Sequence, residues 1–272
     1  MADQNPKMIY NNEHFGVKQY DWDVFGGPSA GEEFVDSALT DLDSGETVKL
    51  SDFQGKWVVL ETASSTCSMY TKNIPDMKGI EEDYPHVEFL VIYVREAHPG
   101  ERLHQHKDFE EKQAAARLLK PRYGEHRRIL VDSHEGGFHR QYGMMPNILY
   151  FIRPDGKIHY RCNWATAQRL RDALADQENF HTVENADVKE LKAARGLYTT
   201  LRTMWTGGFV ALFDFVKAGP GMALRHKRVD AYYKEHGRFN KKPSIFSQGS
   251  TGLQDYRETH NDDGSNKGAA AE

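Results

Sequence analysis

Cysteine is scarce in this sequence. Only Cys67 and Cys162 occur among its 272 residues, too few for a disulfide framework or for a zinc site built from four thiolates. Thirteen histidines are present, but none stands in an HExxH pattern or at a zinc-finger spacing. The sequence therefore predicts no metal site, and each thiol has to be judged by its own position in the chain.

Long apolar runs and an excess of basic charge are also absent. No run reaches the ~18 apolar residues that a membrane-spanning helix needs, and the first residues lack the apolar core of a secretory signal. The formal net charge of -5 provides no basic field for nucleic acid. We therefore expect a cytoplasmic protein without a membrane span and without a nucleic-acid partner.

Short apolar segments alternate with helix-forming segments over much of the chain. The alternation predicts an α/β fold with parallel central strands, and the turn at 154–157 (PDGK) predicts a final antiparallel hairpin. Pro75 is expected to kink or break the first helix. The expected strands are 57–60, 87–94, 128–132, 148–153 and 158–162, after a leading hairpin over 34–50, and the expected helices are 68–83, 109–119 and 168–175.

The character of the chain changes at both ends. Residues 1–30 are polar and aromatic and are expected to form an irregular arm on an α/β domain of residues 31–184. Residues 185–238 predict a helical extension, and the tail 239–272 is expected to be disordered. The apolar segment 205–216 fits packing on the domain or a homodimer contact, and contact with a membrane surface is the alternative.

Cys67 follows the first buried strand and precedes the first helix. At a helix N-terminus the free N–H groups and the helix dipole favour the thiolate, so we expect a lowered pKa for Cys67. The hydroxyls of Ser64, Ser65 and Thr66 stand close enough in sequence to donate hydrogen bonds to the same sulfur. The alternative is a buried structural cysteine, since free cysteine is among the most buried residue types.

His98 follows the second buried strand. The carboxyl ends of parallel strands meet at one edge of a sheet, so we expect His98 close to Cys67, where it can act as a general acid. Its alternative role is a hydrogen bond within the loop. Glu96 either orients a histidine or is a solvated loop charge, and His104 and His106 either serve the site or cap the helix that begins near Asp108.

Residues 63–67 (ASSTC) and 91–98 (VIYVREAH) resemble the iodothyronine deiodinase family and its bacterial relatives. In that family a selenocysteine or cysteine follows a Gly/Ala-Ser-x-Thr stretch, and the second strand ends in an acidic-Ala-His motif. The resemblance implies a thioredoxin-like fold, a mixed central sheet flanked by helices, here with the helical C-terminal extension. It places Cys67 at the selenocysteine position, His98 at the motif histidine and His106 at a second family histidine.

Other thioredoxin-like families fit less well. A dithiol oxidoreductase has Cys-x-x-Cys, but the third residue after Cys67 is Tyr70. A peroxiredoxin has Pro-x-x-x-Thr-x-x-Cys, and here Leu60 and Ser64 stand at the proline and threonine positions. Ser64 keeps a hydroxyl, so peroxidase chemistry stays an alternative, for which Arg95 or Arg161 is the candidate to stabilise the leaving oxygen.

Three further residues belong to the expected site. Pro146 stands where thioredoxin-like folds usually have a cis-proline, the alternative being an ordinary trans turn. Cys162 is expected at the same end of the sheet as Cys67, as a resolving cysteine or as a buried thiol. Trp164 lines a substrate surface or belongs to the core.

The resemblance implies a thiol-dependent oxidoreductase, and reductive dehalogenation is the leading reaction. Cys67 would attack the substrate and His98 would supply a proton. No cofactor is expected, since an external thiol such as a thioredoxin or glutathione system would restore Cys67. The alternatives are a thiol peroxidase and a non-catalytic thioredoxin-like binding module. A bulky small-molecule substrate needs an apolar cleft, for which the candidate lining residues are Met69, Tyr70, Met144, Met145 and Trp164.

Overall fold

The computed structural model describes residues 10–17, 20, 26–178 and 196–236. Its strands are β1 (Ala38–Asp41), β2 (Thr47–Lys49), β3 (Trp57–Ala63), β4 (Val87–Tyr93), β5 (Arg128–Val131), β6 (Ile148–Ile152) and β7 (Ile158–Asn163). Its α-helices are α1 (Ser68–Asp83), α2 (Phe109–Arg117), α3 (Leu119–Tyr123), α4 (Gly137–Gln141), α5 (Ala167–Ala175), α6 (Leu197–Gly207) and α7 (Phe209–His236).

The strands form one mixed sheet in the order β2-β1-β5-β4-β3-β6-β7. Strands β3, β4 and β5 are parallel neighbours, whereas β6 runs antiparallel to β3 and β7 antiparallel to β6. The unit β3-α1-β4 therefore lies beside the hairpin β6-β7, which α5 follows. This arrangement is the thioredoxin-like fold, and it confirms the fold predicted from the sequence.

The central strands are buried on both faces of the sheet. Along β3, Val58 and Leu60 pack on one face, while Val59 and Ala63 pack on the other. Helices α1, α2 and α5 contribute apolar side chains to the second face, and α4 contributes to the first. Two-sided burial explains why these strands read as continuous apolar runs rather than alternating ones.

Helix α1 runs through Pro75 without a break, so of the kink or break expected from the sequence the break is absent. Proline removes one backbone hydrogen bond and clashes with the preceding turn. Here Pro75 faces solvent, while Ile74, Met77 and Ile80 are buried against the sheet on either side of it. The packing of both halves of the helix therefore outweighs the lost bond.

The described residues of the N-terminal arm pack on the domain. Tyr10, Phe15 and Tyr20 are all buried. The Tyr10 hydroxyl lies 3.0 Å from Nδ1 of His139, and the Tyr20 hydroxyl donates to the Ala97 carbonyl at 3.4 Å. The arm thus contributes to the same core as the strands.

Helices α6 and α7 form the described part of the C-terminal extension. Their break falls at Gly207 and Gly208, so the apolar segment 205–216 spans the end of one helix and the start of the next. The expected tail 239–272 and the first part of the extension lie outside the described residues. Within the part of the chain that the structure covers, no helix is long and apolar enough to cross a membrane.

Candidate active site

Cys67 lies at the N-terminus of α1, as the sequence predicts. It is the N-cap residue, with extended backbone angles, and its carbonyl accepts the first helical hydrogen bond from the Thr71 N–H at 3.0 Å. The side chain is only 2% exposed. A thiol in this position faces the free N–H end of a helix, the environment that favours a thiolate.

The three hydroxyls before Cys67 do not donate to its sulfur, contrary to the sequence expectation. Ser64 and Thr66 both donate to Oε2 of Glu96, at 2.9 and 2.6 Å. Ser65 donates to the carbonyl of Ala115 at 3.0 Å. Each hydroxyl has a single proton, so these bonds fix the loop between β3 and α1 instead of activating the thiol.

Glu96 is the centre of a buried hydrogen-bond network. Its carboxylate also accepts from the Thr66 N–H at 3.0 Å and from the Tyr93 hydroxyl, and His106 Nε2 lies 3.4 Å from Oε1. Burial by itself raises the pKa of Glu96, but His106, Thr66 and Tyr93 outweigh it and hold the pKa below its usual value. Glu96 is therefore an ionised positioning residue and not a solvated loop charge.

His98 lies beside the loop between β3 and α1 that carries Cys67. Its backbone N–H donates to the Thr66 hydroxyl at 2.9 Å. Its ring packs between Phe15 and Phe215 at centroid distances of 4.2 and 5.3 Å. Burial lowers the pKa of His98 to about 3, against the opposing effect of Glu96. The imidazole is thus neutral near pH 7, so it holds no stored proton of the kind that a general acid donates.

His106 is buried behind the site. It is 4% exposed and approaches Glu96, but it is not part of the cavity that contains Cys67. Its position suits the support of Glu96 rather than contact with a substrate. The sequence grouped His98 and His106 as catalytic, and the structure separates them.

Cys67 and His98 line one cavity of about 490 Å³. Pro146, Met145 and Trp164 line it as well, so the two loops that follow β3 and β4 and the loop before β6 meet there. No peptide bond among the described residues is cis, so Pro146 follows a trans bond. The lining is mostly apolar and sulfur- or ring-containing, a surface suited to organic molecules.

The expected substrate-contacting residues divide into two groups. Met69, Met145 and Trp164 line the cavity. Tyr70 does not, because it faces the core and its hydroxyl donates to Glu125 at 2.5 Å. Met144 is buried against Tyr10, away from the cavity.

The two candidate arginines are engaged elsewhere. Arg95 Nη1 donates to the Tyr10 carbonyl at 2.5 Å, and Arg161 Nη1 donates to the Gly26 carbonyl at 2.5 Å. Among the described residues, no arginine lines the cavity. The feature expected of a compact peroxidase pocket is therefore missing from the cavity wall that the structure describes.

Cys162 is a free, buried thiol in β7. It pairs in register with Leu149, which pairs with Glu61 in β3. Two strand spacings, about 9–10 Å, thus separate Cys162 from β3, and Cys67 lies beyond the end of that strand. Burial raises the pKa of Cys162. Position and ionisation both favour a structural thiol over a resolving one, since a disulfide needs Cα atoms within about 7 Å.

Several lining residues were missed by sequence reasoning. Phe15 and Tyr20 come from the N-terminal arm, and the C-terminal helices supply six more. The aromatic arm and the apolar helical segment were visible in the sequence, but no local pattern connected either with Cys67. The six residues from α6 and α7 are Leu197, Thr200, Phe215, Met222, Ala223 and His226.

The fold and the site together define a class of protein. A thioredoxin-like sheet with a cysteine at the N-terminus of the helix after a central strand is typical of thiol-dependent oxidoreductases. The model of the iodothyronine deiodinase family matches residues 2–170. The chain therefore belongs to the iodothyronine deiodinase family, as its motifs indicated, and thiol-dependent redox activity follows from that membership.

Solved structures with partial similarity include a protein described as a thiol:disulfide interchange protein DsbE from Chlorobium tepidum, 19% identical, with a TM-score of 0.44 over 55% of this chain and 97% of that one. A secreted disulfide oxidoreductase of Mycobacterium tuberculosis is 20% identical, with a TM-score of 0.41 over 51% of this chain and 94% of that one. Comparison with curated proteins gave no significant match.

Proposed function

We propose that this protein removes halogen reductively from a bulky aromatic substrate, with Cys67 as the attacking group and an external thiol as the electron donor. The observation that carries the proposal is the cavity. It brings a thiol at a helix N-terminus and a neutral histidine into one apolar space of about 490 Å³. That space suits an aromatic ring, whereas a peroxide needs much less room and more polar contacts.

The first step balances without a stored proton. The Cys67 sulfur attacks the halogen, the carbon–halogen bond breaks and a sulfur–halogen bond forms. The thiol proton ends on the ring carbon, so the aryl halide and the thiol give the dehalogenated arene and a sulfenyl halide. A small thiol then displaces halide to form a mixed disulfide, and a second thiol releases Cys67 and leaves as the oxidised disulfide.

The neutral His98 suits the relay of that proton. One ring nitrogen of a neutral imidazole accepts a proton while the other donates. His98 lines the cavity beside Cys67, and among the described residues no group forms a hydrogen bond with its Nδ1, so that nitrogen is not committed to a partner within the protein. Glu96 and His106 act at one remove, since Glu96 holds Thr66, whose hydroxyl fixes the His98 backbone.

The test is halide release from 4-iodophenol with dithiothreitol as reductant. We expect release from the wild-type protein, its loss in Cys67→Ser, and its retention in Cys162→Ser as the matched control. A parallel reaction with hydrogen peroxide separates the alternatives. Rapid peroxide consumption that needs Cys67, without halide release, would replace the proposal with a thiol peroxidase. Inactivity in both assays, with an unreactive Cys67, would favour a binding module.

A further inference from the structure

The C-terminal extension supplies a large part of the cavity surface. We call its six lining side chains the C-terminal wall, namely Leu197, Thr200, Phe215, Met222, Ala223 and His226. All six lie beyond residue 170, where the match to the family model ends. The cavity is therefore composite, with its thiol and His98 from the family domain and much of its remaining lining from outside it.

The wall is fixed to the loop that carries His98. The Gly207 carbonyl accepts from the Arg102 N–H at 3.0 Å, and the Glu101 carboxylate accepts from the N–H groups of Phe209 and Val210 at 2.6 and 2.9 Å. These bonds satisfy free N–H groups at the N-terminus of α7 and attach that end of the helix to the loop that carries His98. A side chain on Gly207 would overlap the His98 carbonyl, at 2.5 Å, so the close approach depends on glycine.

The C-terminal wall also contacts two side chains of the candidate active site, His98 and Trp164. The Phe215 ring meets the His98 ring edge-on at 5.3 Å, and the His226 ring lies 6.3 Å from that of Trp164. Phe215 thus helps to create the apolar surroundings that keep His98 neutral. A ligand that enters the cavity has Met145 and Trp164 of the domain on one part of its surface and the wall on another.

We propose that the C-terminal wall is the substrate-selecting element of this protein, and that it selects organic molecules with at least one aromatic ring. The wall's apolar and ring-bearing side chains would bury such a ring, and small reagents would gain nothing from them. The inference extends the proposed function by naming its selectivity element. It concerns access to Cys67, so it is testable without dehalogenation.

The experiment compares two alkylating reagents of the same reactive group. Iodoacetamide is small, whereas iodoacetanilide carries a phenyl ring, and mass spectrometry of the Cys67 peptide gives both rates. We expect wild-type Cys67 to favour iodoacetanilide, and Ala223→Trp to reduce the iodoacetanilide-to-iodoacetamide ratio by about tenfold. Ala231→Trp is the matched control, since Ala231 is exposed on the same helix and does not line the cavity.

A second pair guards against a folding defect in the first. Phe215→Ala should lower the ratio by removing a ring contact, while Phe213→Ala, at a position 58% exposed on the same helix, should leave it unchanged. The inference would be overturned if wild type, Ala223→Trp and Phe215→Ala gave equal iodoacetanilide-to-iodoacetamide ratios. It would also be overturned if the two controls, Ala231→Trp and Phe213→Ala, lowered the ratio as much as the wall variants do. Aromatic selectivity without halide release from 4-iodophenol would reject the dehalogenation and retain the wall.

Discussion

His98 owes its ionisation state to the two phenyl rings that enclose it. Phe15 and Phe215 replace water around the imidazole, and the loss of hydration lowers the pKa of His98 more than the carboxylate of Glu96 raises it. A neutral imidazole forms no ion pair with a thiolate. The lowered thiol pKa expected for Cys67 would then have to come from the helix N-terminus alone.

This argument predicts a specific result for His98→Gln. Because the pKa of His98 is about 3, the residue carries no charge above roughly pH 4, and the pH midpoint of Cys67 alkylation by iodoacetamide should not move. Halide release should fall by about a hundredfold through loss of the proton relay. His104→Gln, at a half-exposed position, should change neither. A midpoint that rises by a full pH unit in His98→Gln would mean a thiolate–imidazolium pair.

The buried position of Cys162 leads to a second prediction. Mild peroxide should convert Cys67 to a sulfenic acid that dimedone traps, while Cys162 remains free and reacts only after unfolding. The reason is the strand register, which holds the two thiols too far apart for a bond. Peptide mapping of the oxidised protein checks this outcome, and a Cys67–Cys162 cross-linked peptide would contradict it.

The junction of loop 98–101 with α6 and α7 is the critical contact between elements. Gly100 and Gly207 approach neighbouring backbone atoms more closely than a Cβ permits, while Gly208, with a φ of +106°, lies against the carboxylate of Glu101. Such contacts let backbones pack directly, at the cost of leaving no room for substitution. The helical extension is thus bound to the loop that carries His98 largely through main-chain atoms.

Replacing Gly207 by alanine should therefore destabilise the protein. The added methyl would lie 2.5 Å from the His98 carbonyl oxygen and 2.6 Å from Ala211 Cβ, so we expect a loss of about 1–3 kcal/mol in the free energy of unfolding. Gly79→Ala in α1 is the control. Its methyl would meet only Arg171 at 3.6 Å, so helix propensity should leave stability equal or raise it by up to ~1 kcal/mol. Urea titration gives both values, and equal effects would argue against a tight junction.

The sequence predicted the strands and helices of the domain better than the tertiary contacts between them. The βα junction at Cys67, the second strand ending before His98 and the final hairpin all follow from local apolar runs and turn residues, and each is found where it was expected. The role of Ser64 and Thr66 could not be read this way, because their acceptor Glu96 is distant in sequence. The C-terminal wall was missed for the same reason, since contact between α7 and Cys67 is a matter of tertiary packing.

At the scale of the whole molecule, a buried ionic cluster connects the sheet with helix α1. Arg127, fully buried just before β5, pairs with Glu61 of β3 at 2.7 Å and with Glu125 at 2.8 Å, and Glu125 also accepts from Tyr70 of α1. Strand β3, the segment before β5 and helix α1 therefore meet at one buried network of ion pairs and hydrogen bonds. Removal of Arg127 would leave two buried carboxylates uncompensated, which costs far more than the loss of a surface pair. Removal of Glu125 leaves Arg127 paired with Glu61 and removes only the interactions that Glu125 itself makes.

Stability should consequently depend on the ionisation of Glu125. Burial opposes its charge, but Arg127 and Tyr70 outweigh burial and lower the pKa of Glu125 from 4.5 to about 2. A lowered carboxyl pKa contributes stability that is complete above the unfolded value and is lost as the pH falls toward the folded value. A carboxyl whose pKa is lowered this far contributes about 3 kcal/mol at pH 7. Glu125→Gln should therefore cost about that much, and its deficit should shrink between about pH 4.5 and pH 2 as the wild-type protein takes up a proton. Glu88→Gln, which removes a partly exposed pair with Lys56 at 3.6 Å, is the control and should cost less than about 1 kcal/mol at any pH. Urea titrations at pH 7, 5, 4 and 3 measure the two series, and a Glu125→Gln deficit that stays constant with pH would show that Glu125 acts by packing rather than by charge.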